Sequence, residues 1–191
     1  VAALNSPLRT GNAVAWRSAL EATFDVDHFL RYLAVSNTIV NWDSYGTLAH
    51  NYYLYHHPTR GLVWIPWDHN EALAGNPGVA GGSGSARGGL SLSMSEVTAQ
   101  WPLLRYLADD PVYLARYKTH LRGVRDSVFT ESAMDALVES ATALVAPFAT
   151  GANGEQPGAT YLSSAAAFAA ALPALRQHVR VRRALVATYV P

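Results

Sequence analysis

Two acids and an amide mark the stretch of this sequence with the clearest capacity for chemistry. Asp43 and Asn51 flank a short polar loop in NWDSYGTLAHN, and Asp68 closes the later IPWD. Between them, residues 51–56 are rich in tyrosine, His57-Pro58-Thr59-Arg60-Gly61 has turn chemistry, and residues 62–67 are rich in Val, Ile and Trp. That composition reads as a β-hairpin, with Asn51 opening its first strand. An acid, an amide, a hairpin and a second acid, in that order, are the parts of a phosphoryl-transfer loop. In such loops one carboxylate receives a hydroxyl proton, the amide and second acid hold metal, and the ribbon sets their separation.

Each residue also has a plainer reading. An Asp-Ser-x-Gly stretch at Asp43 is most often a turn held by side-chain to backbone hydrogen bonds. Asn51 could be a strand-edge amide, and Asp68 could cap a turn or pair with an arginine. Against that stands the apolar run Ile65-Pro66-Trp67 before Asp68. A carboxylate ending a buried strand is costly unless a cation meets it. Magnesium bridging nucleotide phosphates is such a cation, taking hard oxygen ligands and keeping some waters.

NWDSYG, HNYYLY and IPWDHN together resemble the core motifs of the spore-coat CotH kinase family, atypical protein kinases of distant kinase-like fold. Weaker similarity runs through DVDHFLRYLAV, WPLLRYLADDPVYLARYKTHL and the helix at residues 168–183, so the resemblance extends from about Phe24 onward. It implies ATP and Mg2+ as cofactors and a protein Ser or Thr hydroxyl as acceptor. It also implies Asp43 as the catalytic base or orienter, with Asp68 and Asn51 on the metal. Spore coat, cell envelope or secretion are the settings it suggests, and an inactive copy acting as a binding or adhesion module is the alternative.

The sequence departs from the family pattern twice. Asn70 stands where the family carries an acid two residues after the tryptophan-linked Asp. Upstream of Asp43 there is no strand lobe with a basic residue for the α- and β-phosphates, and the only lysine, Lys118, lies downstream. The expectation is a single domain over residues 1–191, the catalytic-loop portion of a larger kinase domain whose N-terminal nucleotide-binding lobe is absent. Such a piece binds nucleotide poorly on its own.

Other chemistries fare worse. The chain has no cysteine, so thiolate ligands and a Cys nucleophile are excluded. His50, His56, His57 and His69 crowd the core stretch, but HExxH is absent, as is a GxSxG elbow. Formal net charge is zero, which gives no electrostatic reason to expect nucleic acid, and no nucleic-acid module is evident. No apolar run approaches the roughly 20 residues of a membrane span. The N-terminus shows no signal-peptide pattern.

The elements that must position these residues read as a helical protein carrying one hairpin. Residues before Trp16 read as loop, residues 16–23 as a short helix, and Asp25 as the N-cap of a helix to about Asn37. Val26, Phe29, Leu30, Leu33 and Ala34 give that helix a core face, with Asn37 buried beside it and bonded to the following loop. Residues 73–89 are too glycine-rich for helix or strand and stand where a kinase has its activation segment. Gly82-Ser83-Gly84 lacks the strand and GK[ST] of a P-loop. Beyond, helices start near Pro102, at Asp110-Pro111, at Thr130 and at Ser163 or Ser164, the last one kinked or split at Pro173. The Thr130 helix turns Met134, Leu137, Val138, Ala141, Leu144, Val145 and Phe148 inward. The aromatics Tyr52, Tyr53, Tyr55, Trp64 and Trp67 could form a recognition surface, but alternation reads them as hairpin core on one face and cross-strand pairs on the other.

Overall fold

A computed structural model describes residues 2–74, 88–151, 154–155 and 162–191. Among these, a 3-10 turn at Ala2–Asn5 leads into α1 (Leu8–Gly11), α2 (Ala13–Glu21) and α3 (Val26–Thr38). The hairpin follows as β1 (Tyr52–His57) and β2 (Gly61–Pro66), then α4 (Pro102–Asp109), α5 (Pro111–Ser127), α6 (Glu131–Ala149) and α7 (Ala165–Tyr189). Mostly helix with one small antiparallel sheet is therefore the observed class. No helix among the described residues is long and apolar enough to cross a membrane.

Local signals explain most boundaries. Asp25, Asp110, Thr130 and Ser164 each accept a hydrogen bond from a first-turn amide, as N-caps do, and Pro102 and Pro111 occupy first turns. The N-terminal residues are helical rather than loop, because Asn12 caps α2 by accepting from Ala15 N at 3.1 Å. That cap moves the start of α2 ahead of Trp16, whose buried ring then meets Tyr113 of α5 edge-on at 5.7 Å. The strands pair Tyr52 with Pro66 through His57 with Gly61, each set one residue later or earlier than the sequence reading. Asn51 thus stands just before β1.

The core is built where α3 packs between the hairpin and α5. Phe29, Leu30, Leu33, Trp64, Leu104, Leu107, Tyr113, Tyr117 and Leu121 are buried there. Asn37 is buried as expected, but its partner is Tyr117 of α5, whose hydroxyl accepts from Nδ2 at 3.0 Å, not the loop. Burial pushes the Tyr117 phenol well above its usual range, so it stays protonated.

Of the two outcomes expected at Pro173, a split does not occur, since α7 is continuous. The proline lies on an exposed stretch, where the carbonyl it leaves without an amide partner can face water. More consequentially, α6 departs from the expected orientation: Met134 is buried and Val138 half-buried, but Leu137, Leu144, Val145 and Phe148 are exposed. Asp135 and Glu139 both pair with Arg176 of α7 at the edge of the contact between the two helices. The glycine-rich stretch at 75–87, with Gly82-Ser83-Gly84, lies outside the described residues.

The hairpin turn is seated tightly. Gly61 has φ +72°, and a Cβ there would come within 2.6 Å of the Thr23 backbone. Leu62 N donates to Thr23 O at 2.8 Å across the same contact. Gly61→Ala should cost about 1–3 kcal/mol or more in urea unfolding. Gly11→Ala, where the added carbon meets nothing within 4 Å, should stay within about 0.5 kcal/mol of wild type.

Candidate functional site

The site forms where three pieces of backbone meet at the open end of the hairpin. The first is the loop that leaves α3, residues 39–51. Tyr32 donates to Ser44 Oγ at 3.0 Å in the core, and Ser44 O accepts from Thr47 N and Leu48 N. Tyr45 wedges its ring against Tyr52, Trp64 and Trp101, at 5.6, 5.5 and 4.9 Å. Gly46, at φ +112°, lies under the side chains of Leu104 and Leu90, where a Cβ would approach Leu104 to 2.6 Å. The loop is thus pinned at Ser44, Tyr45 and Gly46, immediately after Asp43.

The second piece is the start of β1. Asn51 Nδ2 donates to both Asp43 O at 2.9 Å and Asp43 Oδ2 at 3.0 Å. Asp43 Oδ1 lies 3.0 Å from His50 Nε2, which carries the proton because a carboxylate only accepts. Asp43 is 16% exposed and His50 46% exposed, so the carboxylate is held from inside by the amide and from the solvent side by the imidazole.

The third piece is the end of β2. Trp67 N donates to Asn51 O at 3.0 Å, which places Asp68 one residue beyond the amide that holds Asp43. A second clasp ties the same two segments: Asn41 Nδ2 and His69 Nδ1 are 3.0 Å apart. Leu73 N then donates to Ile39 O at 2.8 Å. The ribbon and these clasps bring Asp43, Asn51 and Asp68 to one end of the hairpin.

Asp68 differs from expectation in its environment. Ile65, Pro66, Trp67 and Asp68 are all exposed, so no buried strand end demands a cation. The desolvation argument for metal lapses, because water can solvate this carboxylate. Among the described residues its Oδ1 accepts a 3.4 Å contact from Asn70 N and no other hydrogen bond. What remains is the donor set: a carboxylate with spare oxygens and Asn51 Oδ1, left over once Nδ2 faces Asp43. Hard oxygens of this kind suit magnesium, which completes its shell with phosphate and water. Among the described residues no group of three or more His, Asp or Glu could hold a metal by itself. The donors fit a shared shell and not a closed protein cage.

A family model described as CotH kinase protein matches residues 2–186. The chain belongs to the CotH kinase family. A search of curated proteins gives no match. The family match starts well before Phe24, so α1 and α2 of this CotH-family chain are part of the family region and not an appendage.

Backbone conformation singles out the same place. Val40, Asn51, Asp68, Leu73 and Met94 are the non-glycine residues with positive φ among the described ones, and the first four border the clasps. Sequence reading of this CotH-family chain singled out Asp43, Asn51 and Asp68, which the structure gathers at one end of the hairpin, but gave no part there to Asn41, Ser44 or His50. His50 was visible as a neighbour of Asn51; nothing in the sequence pairs Asn41 with His69. His57 serves its own turn, accepting from Thr59 N at 3.2 Å. Asn51→Ala removes the amide and places alanine at φ +61°, so urea unfolding should show a loss of about 1–3 kcal/mol. Asn51→Gly should lose less, because glycine accepts that φ. His50→Ala, at an exposed pair, should change stability by under about 1 kcal/mol.

Proposed function

We propose that this CotH-family chain carries the catalytic loop of an atypical protein kinase that transfers the γ-phosphate of ATP to a Ser or Thr hydroxyl of a protein. The observation that carries this reading is the Asn51 amide. By donating to Asp43 O and Oδ2 through Nδ2 it fixes the carboxylate, while its backbone oxygen accepts from Trp67 N, the residue before Asp68.

Phosphoryl transfer needs positioning and charge neutralisation more than covalent help. Asp43 draws the acceptor hydroxyl into line and receives its proton as the oxygen–phosphorus bond forms and ADP leaves. The proton then passes to water. Asp68 and Asn51 would hold the magnesium ion, whose chemistry when bound would be to neutralise the phosphate oxygens. Trp67, exposed and braced edge-on by Tyr53 at 6.0 Å, offers an aromatic ring next to Asp68 on which a nucleobase can stack. These two rings pair on the exposed face of the hairpin, while Tyr52 and Trp64 stack on the core face, as the alternation suggested.

The α- and β-phosphates require a basic partner. Lys118 does not serve, since its Nζ lies over the Tyr189 ring at 5.0 Å on the α5–α7 side. On this reading a separate lobe of the same protein supplies it, and the 191-residue chain binds Mg-ATP weakly by itself. Asn70 favours the second reading, a binding or adhesion module without transfer, because one negative charge of the family motif is missing.

Label from γ-32P-ATP should pass to protein acceptors with the full-length protein. Asp43→Ala and Asp68→Ala should each lower it by about 100-fold or more, and chelation should abolish it. Asn70→Asp should lower the magnesium concentration needed for half-maximal transfer. Absence of any transfer by the full-length protein, with partner binding intact, would sink the kinase reading and leave the module. Micromolar binding of Mg-ATP by the 191-residue chain would remove the need for a separate lobe.

A further inference from the structure

The hairpin is not packed solid against the elements beneath it. On the side that carries Tyr52, Leu54 and Trp64 lies a cavity of about 190 Å³. Leu4 of the 3-10 turn, Leu54 of β1 and one leucine each from α2 and α4 supply its aliphatic walls. The remaining lining is aromatic: Phe24, Tyr45, Tyr52 and Trp64. Protein interiors seldom leave a void of this size, because side chains close-pack and an unlined surface forfeits its contacts.

The lining defines what fits. No charged side chain contributes to it, so a neutral occupant is favoured and an ion is penalised by desolvation. The volume suits one small ring, since an apolar cavity of about 150 Å³ in another protein stays dry and accepts benzene. Four aromatic walls offer the faces and edges against which such a ring packs.

Polar groups in the same walls add a handle. The Tyr52 hydroxyl has no hydrogen-bond partner among the described residues, although its ring is fixed by the stack on Trp64. Trp64 is fully buried, and its indole N–H is likewise without a partner among them. Tyr45 differs. Burial holds its phenol above the ordinary range, so it stays protonated, and the Leu103 amide already faces its oxygen. The open capacity therefore sits on Tyr52, whose hydroxyl can both donate and accept.

We propose that this cavity binds a small neutral phenol, its ring packed among Phe24, Tyr45 and Trp64 and its hydroxyl bonded to that of Tyr52. The site adjoins the catalytic loop, because Tyr45 comes two residues after Asp43 and Tyr52 one residue after Asn51. An occupant packed on both rings steadies the loop and the start of β1 together. Binding itself stands independently of any catalytic reading.

Titration calorimetry of phenol into the full-length protein tests this. The expected result is one saturable site with a dissociation constant of about 1 mM or tighter, a modest demand for so small a ligand. Benzoate should not bind. Tyr52→Phe should weaken phenol by about 3–10-fold and leave toluene unchanged, since only phenol uses the hydroxyl. Leu54→Trp adds bulk at a half-exposed wall and should abolish binding of both rings with circular dichroism unchanged. Leu48→Trp, exposed and outside the lining, should bind as wild type does. Should Leu54→Trp fail to fold, the Tyr52→Phe comparison decides alone. Absence of phenol binding to the wild-type protein would overturn the proposal. So would binding that survives Leu54→Trp, or a Tyr52→Phe protein that takes phenol as before. Binding by the 191-residue chain but not by the full-length protein would overturn it too, since another part of the protein then fills the cavity.

Discussion

A ribbon of two strands is marginal in water, yet the whole site is mounted on one. The interaction that makes this possible is the burial of Trp64. Its ring stacks on Tyr52 of β1 at 4.0 Å and meets Phe29 and Tyr32 of α3 at 4.8 and 5.5 Å. It also touches Tyr45 of the loop. One indole therefore joins both strands, the helix before them and the loop that carries Asp43. Burying a tryptophan is worth about 3–5 kcal/mol against alanine, a large share of the roughly 5–15 kcal/mol of a whole domain. Its N–H has no partner among the described residues, so packing and not hydrogen bonding supplies the hold.

That hold underwrites strain. A β-branched residue such as Val40 at φ +56° is disfavoured, and Asn51, Asp68 and Leu73 add further costs of about 1–3 kcal/mol each. Local sequence preference would relax all of them. They persist because the Asn51–Asp43 bond, the Trp67–Asn51 bond and the Asn41–His69 clasp over-determine the backbone around them. The practical effect is that Asp43 and Asn51 are ordered by folding, before any ligand arrives. A site whose chemistry depends on placement benefits from that more than from any single contact.

The same contrast explains what could be read from the sequence. The caps at Asp25, Asp110, Thr130 and Ser164, the hairpin turn and the core face of α3 were legible because each is set by a few neighbouring residues. Asp43, Asn51 and Asp68 were legible as an ordered set of types. The Asn37–Tyr117 bond and the Asn41–His69 clasp were not, since they depend on which distant segments meet. The rotation of α6 was illegible for a sharper reason. Its apolar periodicity is genuine, but periodicity names a face and not what the face meets, and here α7 meets the side that carries Asp135, Val138 and Thr142.

Arginine in place of lysine, a compositional oddity in the sequence, has a structural use. Arg105 donates to Met94 O and Val97 O, Arg125 to Val190 O, and Arg183 to Arg125 O and Phe129 O. In each case a guanidinium meets backbone carbonyls at a helix end or in a loop. Arg182 uses the fork itself, with Nε on one carbonyl and a terminal nitrogen on the next, which a compact ammonium could not reproduce. Arg182 is the most consequential, because it reaches from α7 into the core and donates to Asn37 O and Thr38 O. Burial lowers its pKa, yet the negative end of α3 offsets the cost of the charge there. The loop bearing Asp43 departs from that same helix end. A cation near the C-terminus of the chain thus fixes the point from which the candidate catalytic loop begins.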